Sequence, residues 1–359
     1  LCIEFDEIFG FQKVIEVFTG KGVDLYCNKE PNKSPEKIDD ALTKKLKECY
    51  EINKLFCKVK SSQNLDDLND EEKLIFKKYG YLVKVAVFTA SIETWSKNMI
   101  FYGAPGTGKT KFVKDCLDIL DPNRTRTEWV QFHSGFEYED FIDGIKPNGI
   151  QNGNLNLALT NGIFKEFCLK AAQNTDENFF FIVDEINRAD IAAVFGETLS
   201  LLEENYRGKS IKTKNYALSK QEFSIPSNVY FIGMMNDVDK SIDCFDLALR
   251  RRFAWVLMEC DYEVVENATD KAYETKCESL NSYIIKEEYQ LKGSKKTDGL
   301  NLGRAYEIGH SYFLKKEAMS EQQIWNRHIE PILREYIRTQ FGDRDAEDKL
   351  NIAREIFVG

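Results

Sequence analysis

From Trp95 onward, short apolar runs alternate with amphipathic stretches of helical period. Met99–Tyr102, Glu128–His133, Phe179–Asp184, Val229–Met234 and Phe253–Met258 read as strands. The Phe179 and Val229 runs are apolar almost throughout, as a parallel strand covered on both faces must be. Between them, Lys111–Leu120, Gly162–Ala172, Asp190–Glu204 and Phe245–Arg252 read as helices. In Asp190–Glu204 the apolar face is Ile191, Val194, Phe195, Leu199 and Leu202. Asn148–Asn156, rich in Asn and Gly, predicts a hairpin or loop. The alternation predicts an α/β fold around a parallel sheet over residues 96–260. Beyond Asp261 the strand patterns stop, and residues 261–359 read as a separate helical domain.

Residues 1–95 have a different character and are expected to be mostly helical. Glu36–Val59 places Ile38, Leu42, Leu46, Cys49, Ile52, Phe56 and Val59 at helical spacing, with Lys and Glu opposite. Ser61–Asn69 is a polar break, Asp70–Tyr79 reads as a short helix, and the type of Tyr81–Phe88 stays open. Lysines here alternate with acids, which fits a solvated helix face better than a nucleic-acid surface. The chain opens on Leu1 rather than Met, so this segment is expected to be the tail of a larger N-terminal domain.

The net charge of −10 argues against a broad basic face, though not against a local basic channel. The nine cysteines are scattered, with no C-x-x-C pair. That favours reduced thiols in a cytoplasmic protein over a disulfide framework or a zinc site. No apolar run approaches the length of a membrane-spanning helix, so no membrane role is expected.

Candidate chemistry begins at Gly103-Ala104-Pro105-Gly106-Thr107-Gly108-Lys109-Thr110, a G-x-x-x-x-G-K-[ST] phosphate loop between strand and helix. The glycines let successive N–H groups turn toward phosphate oxygens, and the helix terminus adds partial positive charge. Lys109 is placed to meet β- and γ-phosphates, and the Thr110 hydroxyl to ligate Mg²⁺. The strand Phe179–Val183 ends in Asp184 and Glu185. Asp184 would face that Mg²⁺, and Glu185 would polarise the attacking water. Asn236, ending the next strand, would hold the water or the γ-phosphate. Arg250, Arg251 and Arg252 close a helix before the last strand, so at least one is free to face a neighbouring subunit or a bound anion.

This set resembles the McrB family of AAA+ GTPases, from about Lys97 to Ile337. The resemblance rests on Asp184-Glu185-Ile186-Asn187-Arg188-Ala189, on Met235-Asn236-x-x-Asp239-Lys240-Ser241, and on Ala248-Leu249-Arg250-Arg251-Arg252-Phe253. Tyr138-Glu139-Asp140-Phe141 and Ile308-Gly309-His310-Ser311-Tyr312-Phe313 are also similar to family blocks. It implies a helical lid over a P-loop core, and adds Asn187 and Asp239 to the hydrolysis site. It puts Asp246, Arg251 and Arg252 at a subunit boundary and His310 near the nucleotide. It further implies hexamers, a preference for GTP over ATP, and an McrC-like subunit that stimulates turnover and carries or recruits a nuclease acting on DNA. Lys240 departs from the family, which usually has Arg there. Lys keeps the charge and loses the planar fork, which bears on coupling to that partner. Residues 1–95 show no match to a domain that reads modified bases. Two alternatives stay open: an ATP-driven remodelling machine of the MoxR or dynein-related type, and a slow nucleotide-gated scaffold.

Overall fold

The computed structural model describes residues 13–19, 22–28, 36–37, 69, 81, 84–86, 88–151, 154–238, 245–290, 296–343 and 345–359. The chain divides into two units, Leu1–Ile92 and Glu93–Gly359.

In the first unit, β1 (Lys13–Thr19) pairs antiparallel with β2 (Gly22–Asn28), and β3 (Glu36–Lys37) joins β2. This corrects the expectation of a helix beginning at Glu36. Glu36 and Lys37 are strand because Cys27 and Tyr26 offer them a ladder, a partner that local helical spacing does not reveal. The rest of the expected Glu36–Val59 helix, and the Asp70–Tyr79 helix, lie outside the described residues. Residues 81, 84–86 and 88–90 are helical.

In the second unit, five parallel strands run in the order β10–β4–β9–β8–β5. They are β4 (Asn98–Gly103), β5 (Thr127–Gln131), β8 (Phe179–Asp184), β9 (Val229–Asn236) and β10 (Ala254–Leu257). The first five residues of β8 and the first seven of β9 are buried, as their unbroken apolar character requires. Gly233 of β9 is small for a packing reason: a Cβ there would stand 2.6 Å from Ile100 Cδ1 and 2.8 Å from Ile186 Cδ1. The core is dense in phenylalanine. Phe141 and Phe164 stack at 4.6 Å, and both meet Phe181 edge-on.

Helices α1 (Lys109–Leu120), α2 (Tyr138–Phe141) and α3 (Ile163–Ala172) flank the sheet. The expected helix to Glu204 stops early. α4 (Ile191–Phe195) ends where Gly196 takes φ +52°, and a 3₁₀ segment, Gly196–Leu202, continues. The Asn-Gly stretch is the tip of a longer hairpin, β6 (Asp143–Gln151) with β7 (Asn154–Asn161). Its base is pinned by a buried ion pair, Lys165 Nζ to Asp143 Oδ2 at 2.7 Å. Asn215 Nδ2 donates to Asp143 Oδ1 at 2.7 Å, and Thr213 Oγ1 to Oδ2 at 3.3 Å. α5 (Leu247–Arg250) precedes β10.

Beyond Asp261, α6 (Tyr262–Ala268), α7 (Lys271–Ile285), α8 (His310–Phe313), α9 (Glu330–Phe341) and α10 (Ala346–Phe357) close around their own core. Trp325, Tyr283, Phe313 and Phe357 are buried in it. Strands do not stop there as expected: β11 (Glu288–Gln290) and β12 (Lys296–Asp298) form a short antiparallel pair. Six-residue windows of mixed polarity carry too little period to reveal such a pair. Among the described residues no helix is long and apolar enough to cross a membrane. Cys116, Cys168, Cys260 and Cys277 are buried free thiols. Burial pushes the Cys116 thiol up to about 12.

Lys165→Ala strands the Asp143 carboxylate in the core. Breaking one side of a buried pair costs about 3–5 kcal/mol. Denaturant unfolding should show a loss of that size, and Lys165→Met with Asp143→Leu should recover much of it. A loss under about 1 kcal/mol for Lys165→Ala would mean the pair is not what pins the hairpin.

Candidate active site

The parallel register carries the chemistry to one edge. Gly103 of β4 lies opposite Asn236 of β9, and Val183 of β8 opposite Gly233. Asp184, Glu185, Asn236 and the phosphate loop therefore all sit at the carboxyl ends of adjacent strands, where α/β sheets bind ligands. Asn187 is drawn to the same edge, its Nδ2 donating to the Asn236 carbonyl at 3.3 Å.

The loop has the backbone its glycines permit. Gly103, Gly106 and Gly108 have φ of +142°, +79° and +79°. No side-chain cap covers the first turn of α1, whose N-terminal end carries the partial positive charge that suits an anion. Lys109 is 7% exposed. Its ammonium donates to the carbonyls of Gly103 at 3.0 Å and Ala104 at 2.8 Å. Thr107 Oγ1 donates to the Ala104 carbonyl at 3.0 Å. Ala104 and Pro105 complete the turn, and Thr110 opens the helix beside Lys109.

Asp184 is half-buried, and its Oδ1 accepts from the Glu185 N–H at 3.0 Å. Glu185 has φ +51°, a left-handed backbone rare for a non-glycine residue. Its Oε2 meets Arg188 Nε at 3.1 Å. Thr110 and Asp184 suit Mg²⁺, which takes one hydroxyl and one carboxylate beside phosphate oxygens and water. Among the described residues no group of three or more His, Cys, Asp or Glu offers a self-sufficient metal site.

The helical domain touches this loop directly. A Cβ on Gly309 would stand 2.2 Å from the Gly106 carbonyl carbon, and Ser311 N donates to the Gly106 carbonyl at 3.0 Å. His310 Nδ1 accepts from the Asp261 N–H at 3.1 Å, which leaves Nε2 to carry the proton of the neutral ring. That Nε2 lies 3.0 Å from where a Cβ on Gly108 would stand. Two loop glycines thus have a second reason to be glycine: a Cβ on Gly106 would stand 2.6 Å from Ser311 Oγ and from the Tyr312 ring, and one on Gly108 would press on the His310 ring. Glu307, missed from the sequence although it adjoins the His310 block, is buried, and its Oε1 accepts from Cys260 N at 2.7 Å. Burial pushes its carboxyl up, against the opposing pull of Arg304 and Lys109.

The arginines lie at the other end. Ala254 of β10 pairs with Met99, so Arg252 is level with the start of β4. Asn98 Nδ2 donates to the Arg252 carbonyl at 3.0 Å. Gly103 lies a six-residue strand away, roughly 16 Å at about 3.3 Å per residue. The three arginines differ. Arg250 lies over Trp255 at 5.0 Å. Arg252 is 14% exposed, donating from Nη1 to the Ala248 carbonyl at 2.7 Å and pairing with Glu203 at 2.9 Å. Arg251 is 68% exposed, 3.5 Å from the same Glu203 oxygen. Asp246 has a local role as N-cap of α5, accepting from Leu249 N at 2.6 Å. Asp239 and Lys240 fall outside the described residues.

Two families match this chain. An AAA domain of the dynein-related subfamily matches residues 98–253, and the McrB alpha-helical lid domain matches residues 277–345. The McrB subunit of the type IV methyl-directed restriction enzyme EcoKMcrB of Escherichia coli K12 is 33% identical over 262 residues. The chain belongs to the McrB family of AAA+ proteins. That match takes in 68% of this chain and 54% of the E. coli subunit, so the chain spans about half of that relative. The type II restriction enzyme BsuMI component YdiS of Bacillus subtilis 168 is 28% identical over 293 residues, 70% of this chain and 80% of its own length. A solved structure of a proposed ATPase from Cytophaga hutchinsonii overlaps 88% of this chain and 89% of its own at a TM-score of 0.33 and 16% identity, too loose to bear on the site. The McrB-family lid is thus the domain that seats Gly309 and His310 on the phosphate loop.

In this McrB-family chain, Gly309→Ala forces a methyl into the Gly106 backbone. Overpacking of that kind costs about 1–3 kcal/mol, and 1.4 kcal/mol is a factor of ten. Fluorescent-nucleotide titration should show affinity lower by about tenfold or more. An unchanged Kd would mean that the lid contact does not support the loop.

Proposed function

We propose that this chain is the ring-forming motor subunit of a DNA restriction or phage-defence complex in the cytoplasm, hydrolysing a nucleoside triphosphate, GTP rather than ATP. The observation that carries this reading is the separation within one sheet. The phosphate loop, Asp184, Glu185, Asn187 and Asn236 share the carboxyl edge, while the exposed Arg251 stands at the amino edge, out of reach of its own loop. A full set of charges then requires two copies, each lending Arg251 to the next, as in a hexamer.

Loop amides from Gly103 to Thr110 receive the phosphates, and Lys109 turns from its carbonyl partners to the β- and γ-oxygens. His310 adds an Nε2–H from the lid. Thr110 and Asp184 would hold Mg²⁺, which when bound would neutralise charge at those oxygens. Glu185 leaves Arg188 to accept hydrogen from the attacking water, with Asn236 and Asn187 fixing its position. The neighbour's Arg251 meets charge developing on the γ-phosphate, while Arg252 and Arg250 hold the helix that presents it. Asp239 and Lys240 couple this site to an McrC-like partner that links it to a nuclease and to DNA. Support for GTP and for that partner is the resemblance of the Met235–Ser241 signature. The dynein-related remodelling reading draws on the AAA-domain match, and the McrB lid match favours the first.

Lys109→Ala should abolish tight triphosphate binding, and Glu185→Gln should retain binding while turnover stops. Turnover of GTP against ATP, with and without DNA, checks the substrate. Glu185→Gln turning over as fast as the parent would remove Glu185 from the chemistry.

Assembly has its own measurement. Hydrolysis per subunit should rise with concentration, and Arg251→Ala mixed with Lys109→Ala should regain activity that neither has alone. Flat specific activity with no regain on mixing would make the site self-contained.

A further inference from the structure

We propose that Glu203 is the positioning residue for Arg251, holding that guanidinium in the pose in which the neighbouring subunit uses it. The proposal rests on the reading of Arg251 as acting in trans, and names a residue that this reading lacks.

One carboxylate oxygen, Glu203 Oε1, meets two adjacent arginines: Arg252 at 2.9 Å and Arg251 at 3.5 Å. Arg252 is the anchor. It is nearly buried, and its second guanidinium nitrogen is spent on the Ala248 carbonyl. Glu203 is therefore held from one side, with its oxygen oriented, before Arg251 is considered. Arg251 is mostly in solvent, on a long side chain that loses much rotamer freedom when fixed. Glu203 is the carboxylate it contacts, and a partner already locked in place lowers the entropy lost on reaching the working pose.

The backbones beneath are braced by a single side chain. Asn98 Nδ2 donates to the Leu202 carbonyl at 2.6 Å, next to Glu203, and to the Arg252 carbonyl at 3.0 Å. Leu201 and Leu202 are fully buried. The carboxylate and both arginines thus stand on a rigid floor. Beside them opens a cavity of about 430 Å³ lined by Ser96, Asn98, Glu203, Glu204, Arg251 and Arg252. Glu203 also ends the segment that starts at Glu185 and runs through α4, so the residue that orients the outgoing arginine is built on the chain leaving the subunit's own catalytic edge.

Mixed assemblies test this. Subunits with Arg251→Ala, intact for nucleotide, are combined with Lys109→Ala subunits, which supply only an arginine. GTP turnover should return. When the donor carries Lys109→Ala and Glu203→Gln together, the returned turnover should fall at least tenfold, with its thermal midpoint and assembly unchanged. When Glu203→Gln is placed instead beside Arg251→Ala in the hydrolysing subunit, turnover should return in full. The defect must follow the donor. A loss of equal size in both placements would make Glu203 merely structural and overturn the proposal, as would undiminished rescue by the doubly substituted donor. No rescue by the Lys109→Ala donor itself would sink the trans reading, and this inference with it. Should Glu203→Gln fail to fold, Glu203→Asp, which keeps the charge and shortens the reach, carries the same comparison, with a donor-side loss expected.

Discussion

The parallel pairing of β4, β9 and β8 is the constraint on which the rest depends. Parallel strands deliver their carboxyl ends to one edge, so a loop after β4, two acids after β8 and an amide at the end of β9 meet without needing to be close in sequence. The same geometry sends the residues that precede β10 to the opposite edge. A sheet of this kind gathers the loop, the acids and the amide at one edge and sets the arginines at the other. Its strands can be parallel because both faces are covered, one by the phenylalanine core between β8, β9, α3 and α4 and the other by α1, where Phe112 meets Phe101.

Glycine at the phosphate loop answers to two demands. Positive φ at Gly106 and Gly108 is the local one. The second comes from the lid, where Ser311, Tyr312 and His310 occupy the space that side chains would fill. Closeness of this order ties the conformation of the loop to that of the lid. Glu307 and Lys109, one acid and one base buried within electrostatic range, lie on the same seam.

Buried polar groups mark where the fold chooses one arrangement. Asp143 with Lys165 fixes the hairpin to α3, and Asn98 ties the segment after α4 to the start of β10. Arg207 is drawn down to about 10 by burial and bonds Asn98 from a third direction. Each is costly to bury alone, and each takes partners from far apart in the chain, although Arg207 Nε and Nη1 stay buried without one.

The nucleotide edge was legible in the order of residues because its signals are local. A strand, a glycine turn and a helix are contiguous in Met99–Leu120, and Phe179–Glu185 holds its apolar run and its acids together. Unbroken apolar runs named β8 and β9 as central strands. Only the tertiary structure decided what depends on a partner remote in sequence. β3 is strand because β2 receives it, and α4 stops at Gly196, whose φ of +52° leaves the helix and where a Cβ would crowd the Tyr138 ring. Arg251 and Arg252 are chemically identical and adjacent and both meet Glu203, yet one is mostly solvent-facing and the other anchored, since in the turn after α5 Arg252 also reaches the Ala248 carbonyl. Periodicity records which face of an element is buried; it carries no record of which distant carboxylate waits there.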